Sequence, residues 1–378
     1  MSSSDIVVYG ATGLVGGRVC VALDAAEVPF IAAGRRKLAL DKLATLVEPA
    51  GVRVAEVEPA ALAKAFEGAR VVVNAAGPLA DIGEVVLSAA LDAGADYVDI
   101  GGDQWFLHDI YERYESTARK AGRVVVPGCG LNCAIGDWAA SWAAMHVCGV
   151  GDEGDVVRAA AAPRIGEDRA VDEIAVSYLF DNLALSPASQ KAVFGNLHTK
   201  GLVWRRDRWE TVTPGVAKKR VNGGREMGGE RDAVSFPGGD VITVPRHIAA
   251  QTVQTYLSMT RSQIASTALR LLARAMPLVP KRATDLLVPY QPAADEYART
   301  QFAVVAQARR GFDAAQVVVR GTDQYRASAG IAAWVAQKLA TRTTGPVGMR
   351  APSELFRAPL ALREVAASVG LTVEPSFA

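Results

Sequence analysis

The chain has 378 residues, half of them hydrophobic, and a formal net charge of +1 from 41 basic and 40 acidic residues. That length supports a large core and about two domains, and near-neutral charge argues against a dedicated nucleic-acid binder. No apolar run reaches membrane-spanning length and the start lacks the apolar core of a secretory signal, so a cytoplasmic protein is expected. The four cysteines, Cys20, Cys129, Cys133 and Cys148, show neither a Cys-x-x-Cys pair nor a disulfide framework, so reduced thiols and no metal are expected.

The first element is a short apolar strand, Ile6 to Tyr9, running into Gly10-Ala-Thr12-Gly13-Leu14-Val15-Gly16 and a helix to about Ala26. Gly10 permits a tight strand-to-helix turn, Gly13 lets the backbone approach a pyrophosphate, and Gly16 lets helix and strand pack closely. The backbone N–H groups at the helix start, around Thr12, Leu14 and Val15, would face the phosphates. The pattern points to a dinucleotide; a purely structural turn is the competing reading. The second strand, Phe30 to Ala33, ends in Gly34-Arg35-Arg36, where an NAD-preferring enzyme would place a carboxylate for the ribose hydroxyls. Guanidinium groups instead bind phosphate through forked, charge-assisted hydrogen bonds, which favours NADP; a solvated basic strand end is the alternative.

Further strands are expected at Val52 to Val57, Val71 to Asn74, Tyr97 to Ile100 and Val124 to Val126, with helices at Leu38 to Val47, Ala60 to Phe66, Glu84 to Ala93 and Leu107 to Ala121. This alternation is that of a doubly wound parallel sheet, an N-terminal Rossmann domain over about residues 1–128, and its ligand crevice should lie outside the carboxyl edge. Three glycine-bearing loops fall there: Asn74-Ala-Ala76-Gly77-Pro78, Asp99-Ile-Gly-Gly102-Asp103 and Pro127-Gly-Cys129-Gly-Leu-Asn132-Cys133. The first would line the cofactor through Asn74, Ala76, Gly77 and Pro78. Catalytic candidates are Asp103, Asn132 and Tyr97. Asp103 serves equally well as a helix cap, Asn132 as a left-handed turn residue, and Asp137 reads as the cap of the helix carrying Trp138 and Trp142. Cys129 would meet substrate, or be a buried spectator thiol.

From residue 129 to about 330 the pattern is α+β. A strand from Val156, a helix near Asp172 to Leu185, a hairpin over Leu202 to Val212, a strand Val241 to Pro245, and strands Thr300 to Arg310 and Gln316 to Gly321 are expected. The glycine-rich stretch Val221 to Glu230 reads as a mobile surface loop or a lid. The helix Ile264 to Val279, followed by Pro280, Lys281 and Arg282, would pack its apolar face on protein rather than on a membrane. Arg246 and His247, after the Val241 strand, would bind a substrate carboxylate, and the segment from about 330 to 378 would pack back on the first domain.

The motifs Gly10 to Gly16, Asn74 to Pro78, Asp96 to Gly101 and Pro127 to Gly130, with Phe236 to His247 and Gly321 to Tyr325 further on, resemble the saccharopine dehydrogenase-like reductases, which include trans-acting enoyl reductases. The resemblance implies an NADP-binding Rossmann domain, a split α+β domain for substrate and dimerisation, and hydride transfer to a C=N or C=C bond of a small-molecule substrate. An imine is the first expectation and an enoyl group the second. A protein that senses NADP without turnover is the reading from another class.

Overall fold

The computed structural model describes residues 6–158, 163–279 and 290–377. Strand and helix alternate through β1 (Ile6–Tyr9), α1 (Leu14–Ala25), β2 (Phe30–Gly34), α2 (Lys37–Leu43), β3 (Gly51–Val54), α3 (Pro59–Phe66), β4 (Val71–Asn74), α4 (Leu79–Asp92), β5 (Asp96–Asp99), α5 (Gln104–Lys120) and β6 (Val124–Val126). The strands pair in parallel in the order β3-β2-β1-β4-β5-β6. Runs such as Val71–Val73 and Val124–Val126 are wholly buried, because helices cover both faces and β-branched side chains fit that setting.

Helix α6 (Gly136–Val147) joins this sheet to a second, mixed sheet. Nearly every residue of α6 is buried, and its small side chains let it press against β13 (Gln301–Arg310) and β14 (Asp313–Thr322). The second sheet runs β10 (Lys218–Asn222), β11 (Glu230–Ser235), β12 (Thr252–Ser258), β7 (Glu173–Asp181), β13, β14, β16 (Thr372–Phe377), with helix α7 (Pro187–His198) following β7 in sequence and the hairpin β8 (Gly201–Arg205) and β9 (Arg208–Val212) attached to β12. The chain end laces the two sheets together. Strand β15 (Gly348–Met349) extends the first sheet beside β6, and β16 closes the second beside β14. The fold is α/β, a doubly wound parallel sheet followed by an α+β unit.

Three expectations are corrected. Residues 172–185 hold strand β7 rather than a helix: Ile174 to Asp181 are buried on both faces, which erases the period-two signal. Val241 to Pro245 lies in helix α8 (Asp240–His247) in spite of its β-branched residues, since burial of Val241, Ile242 and Val244 overrides weak propensity. The strand from Val156 reduces to one bridge, Val157 with Phe356. The Val221 to Glu230 stretch is the turn joining β10 to β11, anchored at its middle: Val221 and Met227 are buried, and the Arg320 and Arg261 side chains hold the Gly223 and Glu226 carbonyls at 2.6 and 2.9 Å. The helix expected at 264–279 is α9 (Gln263–Ala275) with a further turn Met276–Leu278, seated through Ala273 and Met276. Pro280, Lys281 and Arg282 lie outside the described residues.

Candidate active site

The β1–α1 turn is built as close backbone contact requires. Gly10 has a φ of +81° and donates to the Ala33 carbonyl of β2 at 3.0 Å. A Cβ on Gly10 would stand 2.5 Å from the Ala76 nitrogen, and one on Gly16 would stand 2.2 Å from the Gly10 carbonyl oxygen. Both glycines are therefore fixed by packing. Gly13 differs: it is exposed, caps α1 without any side-chain hydrogen bond, and no acidic residue occupies the first turn of α1. Helix N-termini leave backbone donors unpaired and carry positive potential, so an anionic group fits here. These residues suit a dinucleotide: the Gly13 N–H bonds the Gly10 carbonyl at 2.9 Å, and the backbone N–H groups of Thr12, Leu14 and Val15 would hold its pyrophosphate.

At the adjoining end of β2, Gly34 is buried while Arg35 and Arg36 are exposed, and the Arg36 guanidinium donates to Thr12 Oγ1 at 3.3 Å. The neighbouring Lys37 is occupied by Asp41 at 2.8 Å. The Arg36 guanidinium thus stands beside the glycine turn, where a ribose 2′-phosphate would come, and the exposed Arg35 precedes it at the same strand end. Arg35→Asp is expected to weaken NADPH relative to NADH by about 1–3 kcal/mol, read from parallel titrations. Equal loss of both nucleotides would remove the argument from Arg35.

Loops after β4, β5 and β6 complete the edge. Asn74 is buried; its Nδ2 donates to the Tyr97 hydroxyl at 3.0 Å and its Oδ1 accepts from the Ala76 N–H at 3.1 Å, shaping the loop that exposes Gly77 and Pro78. Asp103 caps α5 by accepting from the Phe106 N–H at 2.8 Å, and Asn132 is exposed on a π-helical turn, Leu131–Ile135. Asp99, not singled out from the sequence, ties the β5 and β6 loops together: its Oδ1 accepts the Gly101 and Gly128 N–H groups, both at 2.9 Å. Its strand-end position beside two glycines was the available signal.

Burial raises the Asp99 carboxyl from 3.8 to about 6, against the pull of the Gly128 and Gly101 donors. Because the folded-state value is the higher one, the folded form holds the proton more tightly, and stability falls as pH rises through that window. The loss is about 3 kcal/mol. Asp99→Asn keeps an oxygen for both donors and is expected to flatten this fall in thermal stability from about pH 4 to about pH 6. An unchanged pH profile would contradict the assignment.

Several expected site residues do not reach the crevice. Tyr97 is fully buried beneath Asn74, and burial pushes its hydroxyl up. Cys129 is also fully buried, its thiol raised by burial and its Sγ donating to the Val126 carbonyl at 3.3 Å, so it is a spectator rather than a substrate contact. Arg246 and His247 sit in helix α8 and point inward. The Arg246 guanidinium lies 4.2 Å from the Tyr111 ring centroid and donates to Glu354 at 2.8 Å, while His247 Nε2 meets Asp137 Oδ2 at 2.8 Å. Asp137 is not a helix cap. It lies inside the first turn of α6, where its other oxygen accepts the Ser353 N–H at 2.8 Å.

The opposite wall comes from distant sequence. Leu14 and Val15 pack on Ala184, Tyr297 and Tyr325, and Arg18 pairs with Asp323 at 2.7 Å. Gln104 joins the domains by donating to the Leu202 and Gly238 carbonyls at 3.0 and 3.1 Å. The glycine turn therefore opens beside second-domain residues, as a site that holds a nucleotide and a second reactant would require.

No protein-family model matches the chain. A lipid droplet localized protein of Caenorhabditis elegans is 35% identical over 143 residues, which cover 34% of each chain. The human saccharopine dehydrogenase-like oxidoreductase is 27% identical over 146 residues, again 34% of each. A trans-acting enoyl reductase of Mycobacterium ulcerans is 31% identical over 136 residues, 34% of this chain and 32% of that protein. The matched stretches thus span about a third of these relatives. Among solved structures, apo saccharopine dehydrogenase (L-Glu forming) from Saccharomyces cerevisiae superposes over 99% of both chains with a TM-score of 0.63 and 15% identity. The chain therefore resembles the saccharopine dehydrogenase-like oxidoreductases over about a third of its sequence and shares the fold of saccharopine dehydrogenase along nearly all of its length.

Proposed function

We propose that this protein is an NADP(H)-dependent oxidoreductase that transfers hydride to or from the C=N bond of a small-molecule imine. One observation carries the nucleotide half of this reading: the exposed Gly13 opens α1 without a side-chain cap, and the Arg36 guanidinium, with exposed Arg35 before it in sequence, bonds Thr12 of the same turn. The imine half rests on the likeness to saccharopine dehydrogenase. When bound, the nicotinamide supplies the hydride. The chain's own task is to hold the nucleotide at the β1, β2 and β4 loops, to keep Asn132 at the crevice as an amide donor to substrate, and to manage one proton. Asp103 uses one carboxylate oxygen as the α5 cap and keeps the other for that proton, directly or through water.

Reduction of a C=C bond is favoured by a separate observation, the likeness to the Mycobacterium ulcerans trans-acting enoyl reductase. Both readings use the same nucleotide site. Following NADPH oxidation across a panel of imines and enoyl thioesters separates them. Saturable turnover with imines alone supports the first reading, and turnover with enoyl thioesters alone replaces it with the second. Binding of NADPH with no turnover across the panel would overturn both in favour of a nucleotide sensor.

A further inference from the structure

Helix α6 begins beside the crevice loops and ends about 18 Å away at Val147, taking 1.5 Å per residue. At that far end lies a cavity of about 440 Å³, walled on its apolar side by Met145, Val150 and Ile165. Its other wall is basic. Arg158 and Arg164, six positions apart, and the distant Arg357 line it, and all three are half-buried.

The backbone fixes these arginines in place. Arg158 N–H donates to the Leu355 carbonyl and Arg357 N–H to the Val156 carbonyl, both at 2.8 Å, on either side of the Val157–Phe356 bridge. Arg164 precedes Ile165, which exchanges 2.8 Å bonds with His247 and Ala249, and the Arg164 guanidinium itself donates to the Ile248 carbonyl at 3.1 Å. The side chains are far less satisfied. The buried Nε atoms of Arg158, Arg164 and Arg357 find no hydrogen-bond partner among the described residues.

Three nearby carboxylates have arginine partners outside the cavity. Asp168, on the rim, pairs with Arg310 at 2.8 Å, Glu354 bonds Arg246 at 2.8 Å, and Asp152 meets Arg363 at 3.3 Å. Glu167, also on the rim, is exposed. Burial, together with the like charge of Arg357, holds the Arg158 guanidinium below its ordinary value, against the opposing pull of Glu354. Gathering like charges out of water is costly unless a counter-charge joins them.

We propose that this cavity is an oxyanion site that takes a phosphate group, separate from the nucleotide crevice. Arginine forks match planar or tetrahedral oxyanions through paired N–H donors. Three guanidinium groups around one cavity suit the terminal oxygens of a phosphate better than the two of a carboxylate. The volume lies within the roughly 300–1,000 Å³ of small-molecule sites, so the phosphate can belong to a larger metabolite.

The test is calorimetric titration of the full chain with inorganic phosphate and, separately, pyrophosphate at constant ionic strength. It compares the unaltered protein with Arg158→Gln, Arg164→Gln, Arg357→Gln and Gly13→Val. Saturable binding is expected, weakened at least tenfold in each arginine variant and retained in Gly13→Val. Without anion, Arg158→Gln and Arg357→Gln should melt at or above the temperature of the unaltered protein, since each removes the repulsion between that pair; with phosphate, only the unaltered protein and Gly13→Val should be stabilised. If one arginine variant does not fold, the other two give the same reading. Absence of saturable binding, affinity in the arginine variants unchanged from the unaltered protein, or loss of binding in Gly13→Val would each overturn the proposal.

Discussion

Gly13→Val is expected to remove measurable NADPH binding while leaving the fold intact. Gly13 has φ −81° and ψ 169°, an extended conformation open to any residue, and its added Cβ would meet only the Gly10 carbonyl oxygen at 3.2 Å and the Ala75 oxygen at 3.9 Å. The two branch methyls would instead fill the space in front of the first α1 donors, where the pyrophosphate must come. Loss of those bonds, with steric exclusion, corresponds to at least a hundredfold, or about 3 kcal/mol. Gly16 provides the contrast: a Cβ there would lie 2.2 Å from the Gly10 oxygen, so Gly16→Val should fail by unfolding. Titration and thermal melting of both variants check the distinction. Unchanged NADPH affinity in a folded Gly13→Val protein would mean that this turn holds no phosphate.

His247→Ala is expected to destabilise the protein by about 3–5 kcal/mol, because it strands a buried carboxylate. Asp137 is fully buried, and burial alone would push its carboxyl up. The charge and hydrogen bond of His247, with Ser353 and Thr243, instead hold it below its ordinary value. Removal of the imidazole leaves that charge with the Ser353 N–H as its remaining strong donor. His247→Gln, which restores a donor, should recover part of the loss. Thermal melting gives the size of the effect, and titration of the folded fraction should show unchanged NADPH affinity, since the pair is internal. A melting temperature unaffected by His247→Ala, accompanied by loss of turnover, would return His247 to the substrate site.

How far the sequence discloses this molecule depends on the range of each interaction. The first sheet is legible because strands such as Val71–Asn74 and Val124–Val126 are short, β-branched and bounded by glycine loops, so the local pattern agrees with the final packing. The glycine turn is legible for the same reason: Gly10 and Gly16 act on neighbours close in sequence and on the next loop. Helix α8 is not, because Val241, Ile242, Thr243 and Val244 carry strand propensity and become helical only against α6 and β12. That error carried Arg246 and His247 into the crevice, whereas a helix turns them toward Glu354 and Asp137. Strand β7 lies between β12 and β13 with both faces covered, so its alternation is lost. The second-domain wall of the site could not be read either. Ala184, Tyr297 and Tyr325 meet Leu14 and Val15 only through the tertiary fold, and nothing local marks them. Asp99 stood in plain view at a strand end, yet its role in joining two loops depends on Gly128, 29 positions away.

The central claim is that the crevice between the glycine turn and the arginine pair takes NADP. Calorimetric titration of the purified, unaltered chain with NADPH and NADH in parallel tests it most directly. The structure predicts saturable NADPH binding at least tenfold tighter than NADH, a gap of about 1.4 kcal/mol supplied by the guanidinium groups at the end of β2. Equal affinities would contradict the role given to Arg35 and Arg36, and binding of neither nucleotide would contradict the oxidoreductase reading itself.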